Sequence, residues 1–466
     1  MKVKSIPSSW ISRDGLRLDC NPYMSGALEA RIRLEELSCR KERLADLTRG
    51  HEGGIYNGPQ FVRNFVDDPA YGVPFLGTSS MLRADLSNLP LLKKKDAHSP
   101  RLSYLEIEPG MTLISCSGTI GRMTYARPGM KGMWSNQDIL KVVPNRDKIP
   151  SGYLYAFLSG KYGVPLVTSG TYGAIIQHIE PEHIAGLPVP RLGEEVEMRI
   201  HLEIEGAASA RSQAAKHKDN SSQLLLKSLG LADYTSADTP TSFAAFDVNS
   251  SELSRFDAAF HSPTCRMASA QLAAAAPESR LLSDLASVFT PGIFKRRYVD
   301  TPEYGYPYFS GTELFQLDAS PRGYLAKKWS GIEEYRVSTG WLLIQDAGQI
   351  GGLIGTMVRV PPYFDGSVVS NHLMRIAVAD PEVAAFLFAL LTSSYGYRAI
   401  VRNAFGSSIP QLDPKHIGKL TIPWPSEFMR TEVASEVLLA WKLEDEAVGR
   451  EREGVALVER AIEATP

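Results

Sequence analysis

Several groups of residues in this chain have the types that a reaction needs, and each group lacks a necessary part. Val360-Pro361-Pro362-Tyr363-Phe364 is one residue away from the Asn/Asp-Pro-Pro-Tyr/Phe tetrapeptide with which amino-methyltransferases hold the amino group of a flipped base. That chemistry requires a side-chain acceptor in the first position. Val360 offers none, so the stretch reads as a Pro-Pro turn beside a strand. Gly348-Gln349-Ile350-Gly351-Gly352-Leu353-Ile354-Gly355 is glycine-rich enough to cradle phosphate, yet it has neither GxGxxG spacing nor the Lys-Ser/Thr of a P-loop. His183 and His416 each follow a proline by two residues, which favours a capping or core role over that of a general base. Asp138 and Lys141 form a loose nuclease-like pair with no second acid at usable spacing. Nothing assembles a nucleophile, a base and an oxyanion site. Cys20, Cys39, Cys116 and Cys265 fall in no CxxC or His-spaced pattern, so they are expected as buried thiols of a reducing compartment. No metal and no cofactor is expected.

The remaining chemistry is charge placed for binding. Lys93-Lys94-Lys95 with Arg101, Arg122 with Arg127 and Lys131, Lys295-Arg296-Arg297, and Lys327-Lys328 are local basic clusters that would neutralise phosphates. Tyr172, Gln177, Gln349, Ser407 and Gln411 lie on nearby turn-forming stretches and are candidates for reading base edges. The formal net charge of -2 does not by itself announce a nucleic-acid binder. The acidity is uneven, however: residues 425–466 hold five Lys/Arg against ten Asp/Glu, while 191–232 are balanced at six each. The rest of the chain therefore carries a net +3.

The elements that must position these residues occur twice. Tyr71-Gly72-Val73-Pro74-Phe75 returns as Tyr304-Gly305-Tyr306-Pro307-Tyr308, an offset of 233 in a chain of 466 residues. Gly110 to Ile114 corresponds to Gly340 to Ile344, and Gly118-Thr119-Ile120-Gly121 to Gly348-Gln349-Ile350-Gly351, both at 230. Ser135-Asn136 matches Ser370-Asn371 at 235, and the register then holds at 233 from Tyr162/Tyr395 through Pro190/Pro423. Upstream, Arg17-Leu18-Asp19 matches Arg255-Phe256-Asp257 at 238. The recurring residues are mainly Gly, Pro and apolar ones, so the halves share turns and cores while their polar surfaces differ. With 44% apolar residues there is material for both cores.

Each half mixes short β-type runs with helical stretches, which gives an α+β domain, and each ends in a segment almost free of Gly and Pro. Glu194 to Leu229 and Glu427 to Ile462 read as long helices, the first about 54 Å at roughly 1.5 Å per residue. Apolar residues recur every seven positions at Ala434, Trp441, Val448, Val455 and Ile462, flanked by Val437. Their counterparts are Ala208, Ala215, Ser222 and Leu229, flanked by Ile204 and Leu225, so a small-sided helix would pack against a bulky one. Asp233 to Ser251 is rich in Ser, Thr, Asp and Ala and reads as a linker.

A globular domain, a long helix, a second copy and a second long helix resemble the specificity subunit of type I restriction-modification systems. The resemblance covers nearly the whole chain. It is carried by Arg17-Leu18-Asp19 and Arg255-Phe256-Asp257, by Gly118 to Gly121 and its copy, and by Leu187-Pro188-Val189-Pro190 and Leu420-Thr421-Ile422-Pro423 before the helices. It implies target recognition domains at 1–190 and 253–424, a central spacer helix at 191–232, a linker at 233–252 and a C-terminal spacer helix at 425–466, with the helices packed as an antiparallel coiled coil. It also implies a non-catalytic subunit that reads a bipartite, asymmetric site on double-stranded DNA. Partner modification subunits, two of them, would methylate, and an ATP-dependent restriction subunit would cut. The alternatives are a degenerate methyltransferase or nuclease, and a scaffold that binds proteins instead of DNA. The longest apolar run, Val383 to Leu391, is about half the length of a membrane span, and the basic amino terminus lacks the apolar stretch of a secretory signal, so the cytoplasm is the expected location.

Overall fold

The structure, a computed structural model, describes residues 3–13, 21–169, 178–232, 234, 247–252, 255–406 and 408–466. Most of the expected linker lies outside these residues, as do Arg17-Leu18-Asp19 and Cys20. Two compact units are present: Met1–Ser212 with Glu446–Pro466, and Gln213–Asp445.

The first unit contains the strands β1 (Lys41–Arg43), β2 (Ile55–Tyr56), β3 (Phe65–Val66), β4 (Gly72–Leu76), β5 (Leu91–Lys93), β6 (Thr112–Ser115), β7 (Met123–Tyr125), β8 (Trp134–Ser135), β9 (Ile139–Val142) and β10 (Pro188–Pro190). They form one sheet in the order β2-β9-β6-β7, a second in the order β3-β5-β4-β8, and the pair β1-β10. Strands β6 and β9 are buried at every position, so both faces of the pair carry core residues. On one face Ile114, Leu140 and Val142 join the core under the helix Ser151–Ser159; on the other Leu113 and Ile139 meet the core that contains Leu76, Met81 and Met130.

The second unit repeats this arrangement strand for strand. Its strands are β11 (Ser279–Leu281), β12 (Ser287–Phe289), β13 (Tyr298–Val299), β14 (Gly305–Phe309), β15 (Gly323–Ala326), β16 (Leu342–Gln345), β17 (Met357–Arg359), β18 (Val368–Val369), β19 (Leu373–Ala377) and β20 (Thr421–Pro423). Their sheet orders are β12-β19-β16-β17, β13-β15-β14-β18 and β11-β20. Even the parallel pairs coincide, β4 with β8 and β14 with β18. One register differs from the sequence match. Asn136 N donates to Leu76 O at 3.0 Å, and Ser370 N donates to Phe309 O at 2.9 Å, so Asn136 corresponds to Ser370, one position away from the Ser-Asn match. The hydrogen-bond ladder fixes strand register, and the shared Ser-Asn dipeptide is a coincidence of side chains.

The long helices span Glu194–Ser228 and Glu427–Ala464, 35 and 38 residues. The late part of the second packs antiparallel on the early part of the first within the first unit, where a side chain added at Gly454 would meet Ile204 and Arg450 lies 3.7 Å from Glu203. The early part of the second packs on the late part of the first within the second unit, with His217 2.8 Å from Glu436 and Lys218 2.5 Å from Glu444. The row of buried residues differs from the heptad read from sequence at two positions. Ala214 is buried and Ala215 exposed, and Val455 is half-buried beside the tightly packed Gly454. Inward positions on the first helix are Ile200, Ala207, Ala214 and Ser221 with Ile204 and Leu225; on the second they are Val433, Ala440 and Ala447 with Val437 and Val458. Trp441, Val455 and Ile462 also touch the globular cores: Trp441 meets the Phe388 ring at 5.5 Å, and Val455 and Ile462 join the core of the first unit together with Ile200, Ile204 and Val458. Ala208, Leu229 and Val448 are buried as well.

Among the described residues no single helix is long and apolar enough to cross a membrane; Pro381–Thr392 and Ser394–Val401 together have the composition but are bent by 78°. Residues 384–391 of this pair are buried in the core of the second unit.

Candidate nucleic-acid interface

The basic clusters fall into equivalent places. In the first unit Gly72 pairs with Lys93, and in the second Gly305 pairs with Ala326, so Lys94 and Lys95 correspond to Lys327 and Lys328. All four are exposed. Lys94 Nζ donates to Ala70 O at 2.9 Å, and Lys327 Nζ donates to Glu303 O at 3.0 Å, so this lysine also ties down the turn that precedes β4 or β14. Lys95 and Lys328 extend from the same strand end, and Lys93 is exposed beside them. Arg101, exposed, donates to Gln60 O at 3.0 Å.

Lys295-Arg296-Arg297 runs into β13 beside that strand end, because Ala326 N donates to Arg297 O at 3.0 Å. Arg296 Nε donates to the Tyr308 hydroxyl at 2.7 Å with its guanidinium 5.5 Å from that ring. The matching residue of the first unit is Arg63, 5.7 Å from the Phe75 ring, with Nη2 donating to Gln137 Oε1 at 3.0 Å. Arg63 stands alone in sequence and so escapes a search for clusters; the repeat offset applied to Arg296 finds it. The third cluster is dispersed. Lys131 is exposed and Arg122 half-buried, but Arg127 is buried with Nη2 on Ala84 O at 3.3 Å, which makes it a framework residue.

A second polar area lies at the ends of β6 and β16. The turn after β16 is joined to the segment before the helix Pro414–Gly418 by the bridge Ala347–Gln411 and by Gly348 N on Pro410 O at 3.1 Å. This brings together Gln349, whose Nε2 donates to Ser408 O at 3.2 Å, and Gln411, which is exposed. The first unit makes the same junction through Ser117 and His178. Gly121 and Gly351 hold the corresponding turns at φ of 75° and 81°, a conformation that suits glycine. Tyr172, Gln177 and Ser407 lie outside the described residues.

Behind this area each unit buries a cation. Lys141 on β9 faces Leu113, and Arg375 on β19 faces Leu343, so they occupy one position of the fold. Lys141 Nζ donates to Ile139 O at 3.2 Å and lies 5.4 Å from the Tyr56 ring; burial pulls its ammonium down to about 7. Arg375 donates to the carbonyls of Ser370, Leu373, Tyr335 and Val369, and burial lowers its guanidinium to about 10 despite Asp346. Asp346 is itself pushed up to about 6 by burial, opposed by His372 at 3.4 Å. At the position of Asp346 the first unit has Cys116, whose thiol burial raises to about 12. Lys141 thus turns inward, and Asp138 and Lys141 form no reactive pair.

The other reactive-looking groups take structural places. Pro362–Phe364 is a 3-10 turn after β17. His183 Nδ1 accepts from Glu180 N at 3.0 Å in a capping box, and His416 lies in the first turn of a helix capped by Asp413. Cys116 is buried, whereas Cys39 and Cys265 are half-buried. Among the described residues no three His, Cys, Asp or Glu side chains group as metal ligands.

No family model matches the sequence and no curated protein matches it. Among solved structures, the chain is similar to the S subunit of a type I restriction-modification system from M. genitalium, at 12% identity over 91% of this chain and 94% of that one, with a TM-score of 0.36. It is also similar to the HsdS subunit from Thermoanaerobacter tengcongensis, at 13% identity over 92% and 97% with a TM-score of 0.28. A third similar chain comes from a structure of type I R-M complex assembly and conformational transition, at 13% identity over 92% and 98% with a TM-score of 0.27.

Proposed function

We propose that this chain is the DNA-recognition subunit of a type I restriction-modification complex, reading a bipartite, asymmetric target while partner subunits methylate and cut. The observation that carries this reading is the strand-for-strand duplication of an α+β domain, each copy followed by one of two long, mutually packed helices. A duplicated reader suits a target in two parts, as dimeric DNA binders suit two half-sites. Shared Lys94/Lys327, Lys95/Lys328 and Arg63/Arg296 supply phosphate contacts common to both halves, while the differing polar loops make the half-sites differ. The chain acts in the cytoplasm as part of a defence against foreign DNA.

Partner subunits dock beside the helices, where Met198 and Leu202 on the first and Phe428, Met429 and Leu439 on the second are exposed apolar side chains. The near-neutral charge of this chain means that two modification subunits provide much of the phosphate contact, so the isolated chain binds DNA weakly at physiological salt. The helices act as a spacer that sets the gap between half-sites. Inserting seven residues, about two turns, into both helices should change the tolerated gap in methylated sites and leave the bases of both half-sites as they were. A change in half-site bases with an unchanged gap would refute the spacer role.

A further inference from the structure

If the two units read different half-sites, the residues that discriminate must stand where the shared framework presents different chemistry. This inference rests on the DNA-reading function proposed above. One position meets the requirement closely. Cys116 N donates to Asp138 O at 3.0 Å, and Asp346 N donates to His372 O at 3.2 Å, immediately beyond the paired residues Ser115–Ile139 and Gln345–Leu373. The following backbone contacts also agree: Ile179 N on Cys116 O at 3.0 Å, and Leu412 N on Asp346 O at 2.7 Å. Asp138 and His372 therefore occupy the same place at the polar ends of β9 and β19, beside the junction of two loops.

Their chemistry is opposite. Asp138 is half-buried, with its Oδ2 accepting from Gln137 Nε2 at 3.0 Å and Asn136 Nδ2 at 3.4 Å, which steadies a carboxylate that can only accept. His372 has a side chain 50% exposed; its Nδ1 lies 3.4 Å from the buried Asp346 carboxylate, which orients the ring, and in the imidazolium form that this carboxylate pairs with, Nε2 is a second donor. The buried cations do not need these outer groups for neutralisation, because Lys141 and Arg375 are bonded to backbone carbonyls and turned into the core; only Asp346 has His372 as its partner. An unchanged backbone that carries an acceptor in one unit and a donor in the other has the form of a reading position.

We infer that Asp138 and His372 are paired specificity residues, Asp138 reading a base that offers an amino group in the major groove, foremost cytosine, and His372, as the imidazolium, reading a base that offers an acceptor, foremost guanine. Selection from a randomised duplex library by the full chain at low salt tests this. The wild-type chain should enrich one split sequence; enrichment of no sequence would overturn the DNA-reading function itself, and this assignment with it. Asp138→Asn should move the preference at one position of one half-site toward adenine, because an amide both donates and accepts, by about tenfold or more. His372→Gln should do the same at one position of the other half-site, and His372→Asp should favour cytosine there. Because the Asp variant stands next to Asp346, the Gln variant serves as the check on folding. Uniform weakening with every base preference retained would make these groups phosphate or framework contacts and overturn the assignment, as would unchanged selection.

Discussion

At the scale of single residues, the least expected feature is the pair of fully buried cations, Lys141 and Arg375, at one position of the fold. Sequence reading paired Lys141 with Asp138 because they are close in the chain, but alternation along β9 sends the lysine into the core. No carboxylate accompanies it; one carbonyl and the Tyr56 ring are its partners. With its pKa lowered from 10.5 to about 7, the folded chain binds fewer protons than the unfolded one between those values. Stability should therefore rise as pH increases from about 7 to 9, above which Cys116, raised from 9.0 to about 12, works in the opposite direction. Lys141→Met should stabilise the protein at pH 7 by on the order of 1–3 kcal/mol and flatten this pH dependence, read by denaturant unfolding. Loss of stability in that variant would show that the ammonium contacts outweigh its desolvation.

At the scale of elements, length and composition made both long helices legible, and Gly/Pro punctuation marked the domains they follow. The apolar row read from sequence departs from the buried positions at Ala215, which is exposed beside the buried Ala214. The seam itself contains charge where apolar residues would be expected: Arg211 pairs with Glu451, which also accepts from the Tyr155 hydroxyl, and Lys218 pairs with Glu444. Arg211 and Glu451 have side chains only 11% and 13% exposed, so removing one partner leaves the other buried and uncompensated. Arg211→Ala should cost about 3 kcal/mol, and a double-mutant cycle with Glu451→Ala should show strong coupling. Additive effects would place the pair in solvent. These charges were invisible to a search for apolar heptads, yet they fix register along the seam more firmly than alanines do.

At the scale of the whole molecule, the repeat in the sequence proved to be a repeat of topology, down to the parallel strand pairs. Glycines, prolines and buried apolar residues carried that signal because they determine turns and cores. The interface was less legible. Basic clusters can be seen in sequence, but lone Arg63 and the opposed Asp138 and His372 become meaningful only after the two units are superposed in register. The correspondence of the two units supports the proposed role, a single chain that names a two-part DNA site for enzymes bound to it. Mapping modified bases across the genome of the native host, with and without the gene for this chain, tests it most directly. Adenine methylation at one split, asymmetric motif should be lost when the gene is removed and restored by the intact gene. An unchanged methylation pattern in a host that makes the protein would contradict it.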